Sequence, residues 1–112
     1  MITPLKVQER LFNLSHQIDE NYKDLVQDET DYHRIKSQYE IAMARSRIKL
    51  SDGKHTAQGR EDLALLENED LHFELATMEA KIKATRGLTN KLKTQVEITR
   101  SISASIANEM NT

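Results

Sequence analysis

Ala42-Met43-Ala44-Arg45-Ser46-Arg47-Ile48-Lys49-Leu50-Ser51-Asp52-Gly53-Lys54 decides the reading of this chain. Up to Leu50 the pattern is helical, with basic residues at three alternate positions. Ser51-Asp52-Gly53 then supplies the one strong turn signal of the interior, because Gly adopts the left-handed conformation that ends helices at little steric cost. Apolar residues recur at helical spacing on both sides of it. The chain therefore reads as two helices folded back on one another, with cations gathered where they turn.

Upstream, Thr3 suits an N-cap and Pro4 the first helical position, where its missing N–H is not needed. Apolar residues follow at Leu11, Leu14, Ile18, Tyr22, Leu25, Tyr32, Ile35, Tyr39, Ala42 and Met43, mostly in steps of three and four. This is the stripe of a helix packed along one side. The stripe is interrupted at Asp28-Glu29-Thr30-Asp31. Thr and Asp are poor mid-helix residues, so a break is expected near residues 27–31.

Downstream, Thr56 is the candidate N-cap, with Glu61 and Asp62 favourable near the positive helix end. The second stripe runs through Leu63, Leu66, Leu75, Met78, Ile82, Leu88, Leu92, Val96, Ile98, Ile102, Ile106 and Met110, joined by Leu71 or Phe73. Gly87 is its one interior breaker, which leaves two alternatives: a continuous helix to about residue 108, or a break near Gly87. The tail 108–112 is expected to fray.

Composition agrees with helices and with little else. The 112 residues include two Phe, three Tyr, no Trp, three Gly and one Pro, while 30% are charged. Such a chain suits long helices and coiled coils, and is poor material for packed sheets. The absence of cysteine excludes disulfides and thiol catalysis. No run of 18 apolar residues exists, and Met1-Ile2-Thr3-Pro4-Leu5-Lys6 lacks signal-peptide features, so a soluble, cytoplasmic protein is expected.

Charge falls into blocks. Residues 1–33 hold three basic and seven acidic side chains, and residues 34–60 hold seven and two. Residues 61–80 hold seven acidic and no Lys or Arg, and residues 81–112 hold six basic and two acidic. Folding back at Gly53 sets each block against one of opposite sign, which favours an antiparallel hairpin. The expectation is an all-α, coiled-coil-like hairpin forming one domain over 1–112, with helices at about 4–50 and 57–108 and a turn at 51–56. A lone hairpin buries little core, so it should assemble into a helical homo-oligomer.

The catalytic inventory is thin. His16, His33, His55 and His72 form no i, i+4 pair among themselves, and Glu69 and His72 make the one Glu-x-x-His pair, too little for a metal site. No phosphate loop, nucleophile elbow or dinucleotide fingerprint occurs. Neither an enzyme, a cofactor, a bound metal nor a small-molecule substrate is expected. The candidate site is instead the cationic end: Arg45, Arg47, Lys49, Lys54 and Arg60, side chains that seek phosphate. Tyr39 could stack a base there, although its place on the stripe equally fits the core. The plainer account of these cations is cross-pairing with Glu61, Asp62 and Glu67. Cations so paired are scaffold, whereas uncompensated ones make a site.

Tyr39-Glu40-Ile41-Ala42-Met43-Ala44-Arg45-Ser46-Arg47-Ile48, followed by Ser51-Asp52-Gly53, resembles the core of the UvsY family of phage recombination mediators. Glu61 to Asp70 and Leu92 to Ile102 follow in the family's order, so the resemblance spans about residues 34–106. Phe73 alone stands where the family pattern carries more aromatic residues. The resemblance implies a helical oligomer that binds single-stranded DNA and helps load a recombinase in the presence of a single-strand-binding protein. It implies Arg45 and Arg47 as the basic pair, and the host cytoplasm as location if the chain is phage-encoded. Two other classes stay open: a structural or assembly-chaperone hairpin with protein partners only, and an adaptor acting through the acidic stretch Glu67 to Glu74.

Overall fold

The structure, a computed structural model, describes residues 3–111 and is all-α. Helix α1 spans Pro4–Lys49, α2 spans Ala57–Glu67 and α3 spans Glu69–Met110. The expected start of α1 is present. The Lys6 N–H donates to Thr3 Oγ1 at 3.2 Å, and the Val7 N–H to the Thr3 carbonyl at 3.1 Å. Thr56 caps α2 as expected, its hydroxyl accepting from the Gly59 N–H at 3.0 Å. Gly53 has φ +79°, the left-handed turn read from the sequence. The helix continues through the stretch 108–110 where fraying was expected, and Thr112 lies outside the described residues, as do Met1 and Ile2 of the opening stretch.

Two expectations are corrected. No break occurs at residues 27–31, because α1 is continuous through them. The covered positions of α1 include Val7, Leu14, Asn21, Asp28, Ile35 and Ala42, with Leu11, Ile18, Leu25, Tyr32, Tyr39 and Ser46 between them. Their steps of four and three are the 3.5-residue repeat of a coiled-coil seam. The apparent gap in the stripe is a seam position held by Asp28. Its Oδ1 accepts from Lys81 Nζ of α3 at 3.0 Å, so this oxygen finds its donor on the opposite helix and leaves the α1 backbone bonds intact.

The second correction concerns the returning helix. Of the two alternatives at Gly87 the continuous helix is the one present, but the expected single helix over 57–108 is interrupted at Asn68, where φ is −115° and ψ 26°. The Asn68 side chain leaves the helical pattern to bond elsewhere. Its Nδ2 donates to the Ala64 carbonyl at 2.8 Å and to Ser46 Oγ of α1 at 3.0 Å. The covered positions beyond it, Leu71, Leu75, Met78, Ile82, Thr85, Thr89, Leu92, Val96 and Thr99, continue in the same repeat. Leu63, Leu66, Leu88, Ile98 and Met110, expected in the core, are exposed, as is Tyr22 of α1. Ala64, Thr89 and Thr99 are buried instead. The two threonines tolerate burial in the seam because each returns its hydroxyl to the carbonyl one turn back, Thr89 to Thr85 at 3.0 Å and Thr99 to Gln95 at 2.7 Å.

Contacts divide the chain into two compact units, residues 27–82 and residues 1–26 with 83–112. In the first, α1 runs antiparallel to α2 and the start of α3, held by Tyr32 Oη donating to Glu79 at 2.9 Å and by Lys81 on Asp28. In the second, the start of α1 runs antiparallel to the end of α3. Here Arg10 Nε donates to Thr99 Oγ1 at 3.1 Å, and Lys93 lies 5.2 Å from the centre of the Tyr22 ring.

Candidate nucleic-acid interface

All five candidate cations belong to the unit of residues 27–82. Arg45, Arg47 and Lys49 occupy the last turns of α1, Lys54 the loop after Gly53, and Arg60 the first turn of α2. Helical periodicity separates the first three. Arg45 and Lys49 share a side at i, i+4, whereas Arg47 is turned from them.

Arg47 and Lys49 are compensated. The Arg47 guanidinium is bidentate on Glu61, with Nε to Oε1 at 2.6 Å and Nη2 to Oε2 at 3.0 Å. This fork geometry suits Arg and gives direction as well as charge. The pair raises the Arg47 pKa and lowers that of Glu61, through the hydrogen bond first and the ionic attraction after it. Lys49 Nζ lies 3.0 Å from Glu67 Oε1. The Glu67 carboxyl is likewise held below its ordinary pKa, by its hydrogen bond to Ser46 and then by Lys49. Glu61 just past the first turn of α2 and Glu67 at its end thus clasp the end of α1.

Arg45 and Lys54 stand apart. Both are exposed, and neither has a carboxylate partner among the described residues. The Lys54 backbone N–H donates to Asp52 Oδ1 at 3.0 Å, which fixes the loop and leaves the ammonium in solvent. Arg60 is half-buried and lends its charge to lowering the Glu61 carboxyl. The sequence-derived set is therefore split: Arg45 and Lys54 are available to a ligand, Arg47 and Lys49 are engaged, and Arg60 lies between these conditions.

Tyr39 is half-buried with its ring 6.0 Å from that of His72, as expected for a stripe residue. His72 in turn packs edge-on to Phe73 at 6.0 Å. Residues that the sequence reading passed over complete the clasp. Ser46 is buried beneath it, and the Asn68 amide reaches both Ser46 and Met43 Sδ, the latter at 3.7 Å. An asparagine in an acidic leucine-bearing helix, opposite a seam serine, was the available signal. Comparison of the chain with protein families, with curated proteins and with solved structures finds no match.

Proposed function

We propose that the protein is a non-enzymatic accessory factor of DNA recombination that binds single-stranded DNA as a homo-oligomer. What carries this reading is the uncompensated charge of Arg45 and Lys54 at the same end where Arg47 and Lys49 are engaged. The resemblance of residues 34–106 to phage recombination mediators supports it, and adds a recombinase and a single-strand-binding protein as partners. One copy offers a small cationic patch, and repetition by symmetry in an oligomer multiplies each phosphate contact. The cations have little with which to read base edges, so binding is independent of sequence.

The test is a salt titration of binding to a labelled single-stranded oligonucleotide, with Arg45→Ala/Lys54→Ala beside the parent. Affinity of the parent should fall steeply with salt, and the double variant should lose most of it at unchanged helicity. Arg47→Ala should chiefly lower stability, since its fork is closed on Glu61. A double variant that binds like the parent overturns the site.

The bidentate Arg47–Glu61 pair and the exposed side chains of Ile41, Ile48, Leu66 and Phe73 favour a second reading, a helical hairpin that serves protein partners only. A parent protein that does not bind single strands at low salt selects it.

A further inference from the structure

α1 carries a second row of apolar side chains besides its seam. Leu5, Phe12, Tyr22 and Val26 are exposed at 65%, 74%, 41% and 63%. Gln8, Ser15 and Asp19 fall between them, so the row advances through 5, 8, 12, 15, 19, 22 and 26. Those are steps of three and four, the same repeat that sets α1 against α3. Singly exposed apolar residues are ordinary on a protein surface, but a row in coiled-coil repeat is the imprint of another helix. The whole row lies within the unit formed by residues 1–26 and 83–112. A shallow groove lined by Leu5, Gln8, Glu9, Phe12 and Asn13 opens along it.

We propose that this row is where a second copy of the chain packs, with its α1 antiparallel to the first. What selects this partner is self-complementarity of the α1 face. A two-fold contact must present the same residues from both sides, so each must find its match at a fixed sum of residue numbers. In the antiparallel register that sets Phe12 of one copy against Tyr22 of the other, small Ser15 meets Asp19, Val26 meets Gln8, and Leu5 lies at the end of the contact beside Glu29. The flanking row of α1 is Glu9, His16 and Lys23, and this register brings Glu9 of each copy beside Lys23 of the other. The Phe12–Tyr22 layer and the Glu9–Lys23 pair then each occur twice. A parallel copy forms neither Glu9–Lys23 pair. Lys23 lies 3.3 Å from Glu20 in the single chain, a solvent-exposed i, i+3 contact of the kind that exchanges partners readily.

The proposal rests on the homo-oligomer of the preceding reading and supplies its contact surface. Its test measures mass and is blind to DNA, so the two can fail separately. Light scattering on the parent at micromolar concentration should give at least twice the 12.9 kDa of one chain. Leu5→Ser/Phe12→Ser should lower that mass with helicity retained in circular dichroism. Glu9→Lys alone and Lys23→Glu alone should each weaken association several-fold, and the two together should restore it. A parent of single-chain mass, or a Leu5→Ser/Phe12→Ser protein with the parent's mass, overturns the proposal. So does a combined charge swap that leaves association as weak as in the single variants, because only facing residues rescue one another.

Discussion

Asp28 shows how a single residue can hold a register. It is 5% exposed on the seam, with Oδ1 on Lys81 and Oδ2 without a hydrogen-bond partner among the described residues. A buried carboxylate served by one donor is a poor contributor to stability, yet it penalises every alignment that removes the donor. Lys81→Ala should therefore destabilise the protein by roughly 1–3 kcal/mol, the cost of stranding the buried charge. Asp28→Leu should be neutral or stabilising, since Lys81 is 61% exposed and returns to water. Urea unfolding midpoints of the two variants check this, and a Lys81→Ala protein as stable as the parent would refute the role given to the pair. Two glycines diverge in the same way. Gly87 is helical with nothing within 4 Å of an added Cβ, so Gly87→Ala should stabilise by about 1 kcal/mol. Gly53 has φ +79°, so Gly53→Ala should destabilise by roughly 1–2 kcal/mol. Thermal melting of both proteins shows the opposite signs directly.

Among the elements, the helix starts and the turn were legible because each is signalled by residues that act on their own neighbours: Thr3 with Pro4, Thr56, and Gly53. The interruption at Asn68 was not, because its cause lies across the hairpin in Ser46, 22 residues away. The same holds for Asp28, whose place in the seam is visible only when polar residues are counted as seam members. In the candidate site the opposing charge blocks were legible and their antiparallel pairing is present, but block charge could not say which cations close on carboxylates. That choice depends on side-chain reach from two helices, which brings Glu61 to Arg47 and Glu67 to Lys49 and leaves Arg45 out. The clasp of α2 has a consequence for acid stability. Glu61 and Glu67 have pKa values lowered from 4.5 in the folded chain, so near that pH the unfolded chain binds more protons. Their contribution is complete above the unfolded value and fades as pH falls below it. Stability measured by denaturant from pH 6 down to pH 3 should drop more steeply for the parent than for Glu61→Gln/Glu67→Gln. Parallel pH profiles would show that the clasp contributes nothing.

At the scale of the molecule, each unit has its own antiparallel contacts, and those contacts differ in how much chain they enclose. Arg47 and Glu61 are 14 residues apart in sequence, Tyr32 and Glu79 are 47, and Arg10 and Thr99 are 89. Loop closure becomes entropically dearer with length unless an inner contact has already shortened the loop. The order of contacts outward from Gly53 should therefore also be their order in time. The hairpin should nucleate at its turn and close like a zip, with residues 27–82 ahead of the two chain ends. Kinetic analysis should then find that Glu61→Ala and Ala64→Gly slow folding, with φ-values well above those of the outer seam. Leu14→Ala and Leu92→Ala should leave the folding rate nearly unchanged and accelerate unfolding. The placement near mid-chain of Gly53, the one positive-φ residue among the described residues, does more than reverse the chain's direction. It gives a molecule whose contacts reach across 89 residues, from Arg10 to Thr99, a short-range place to begin.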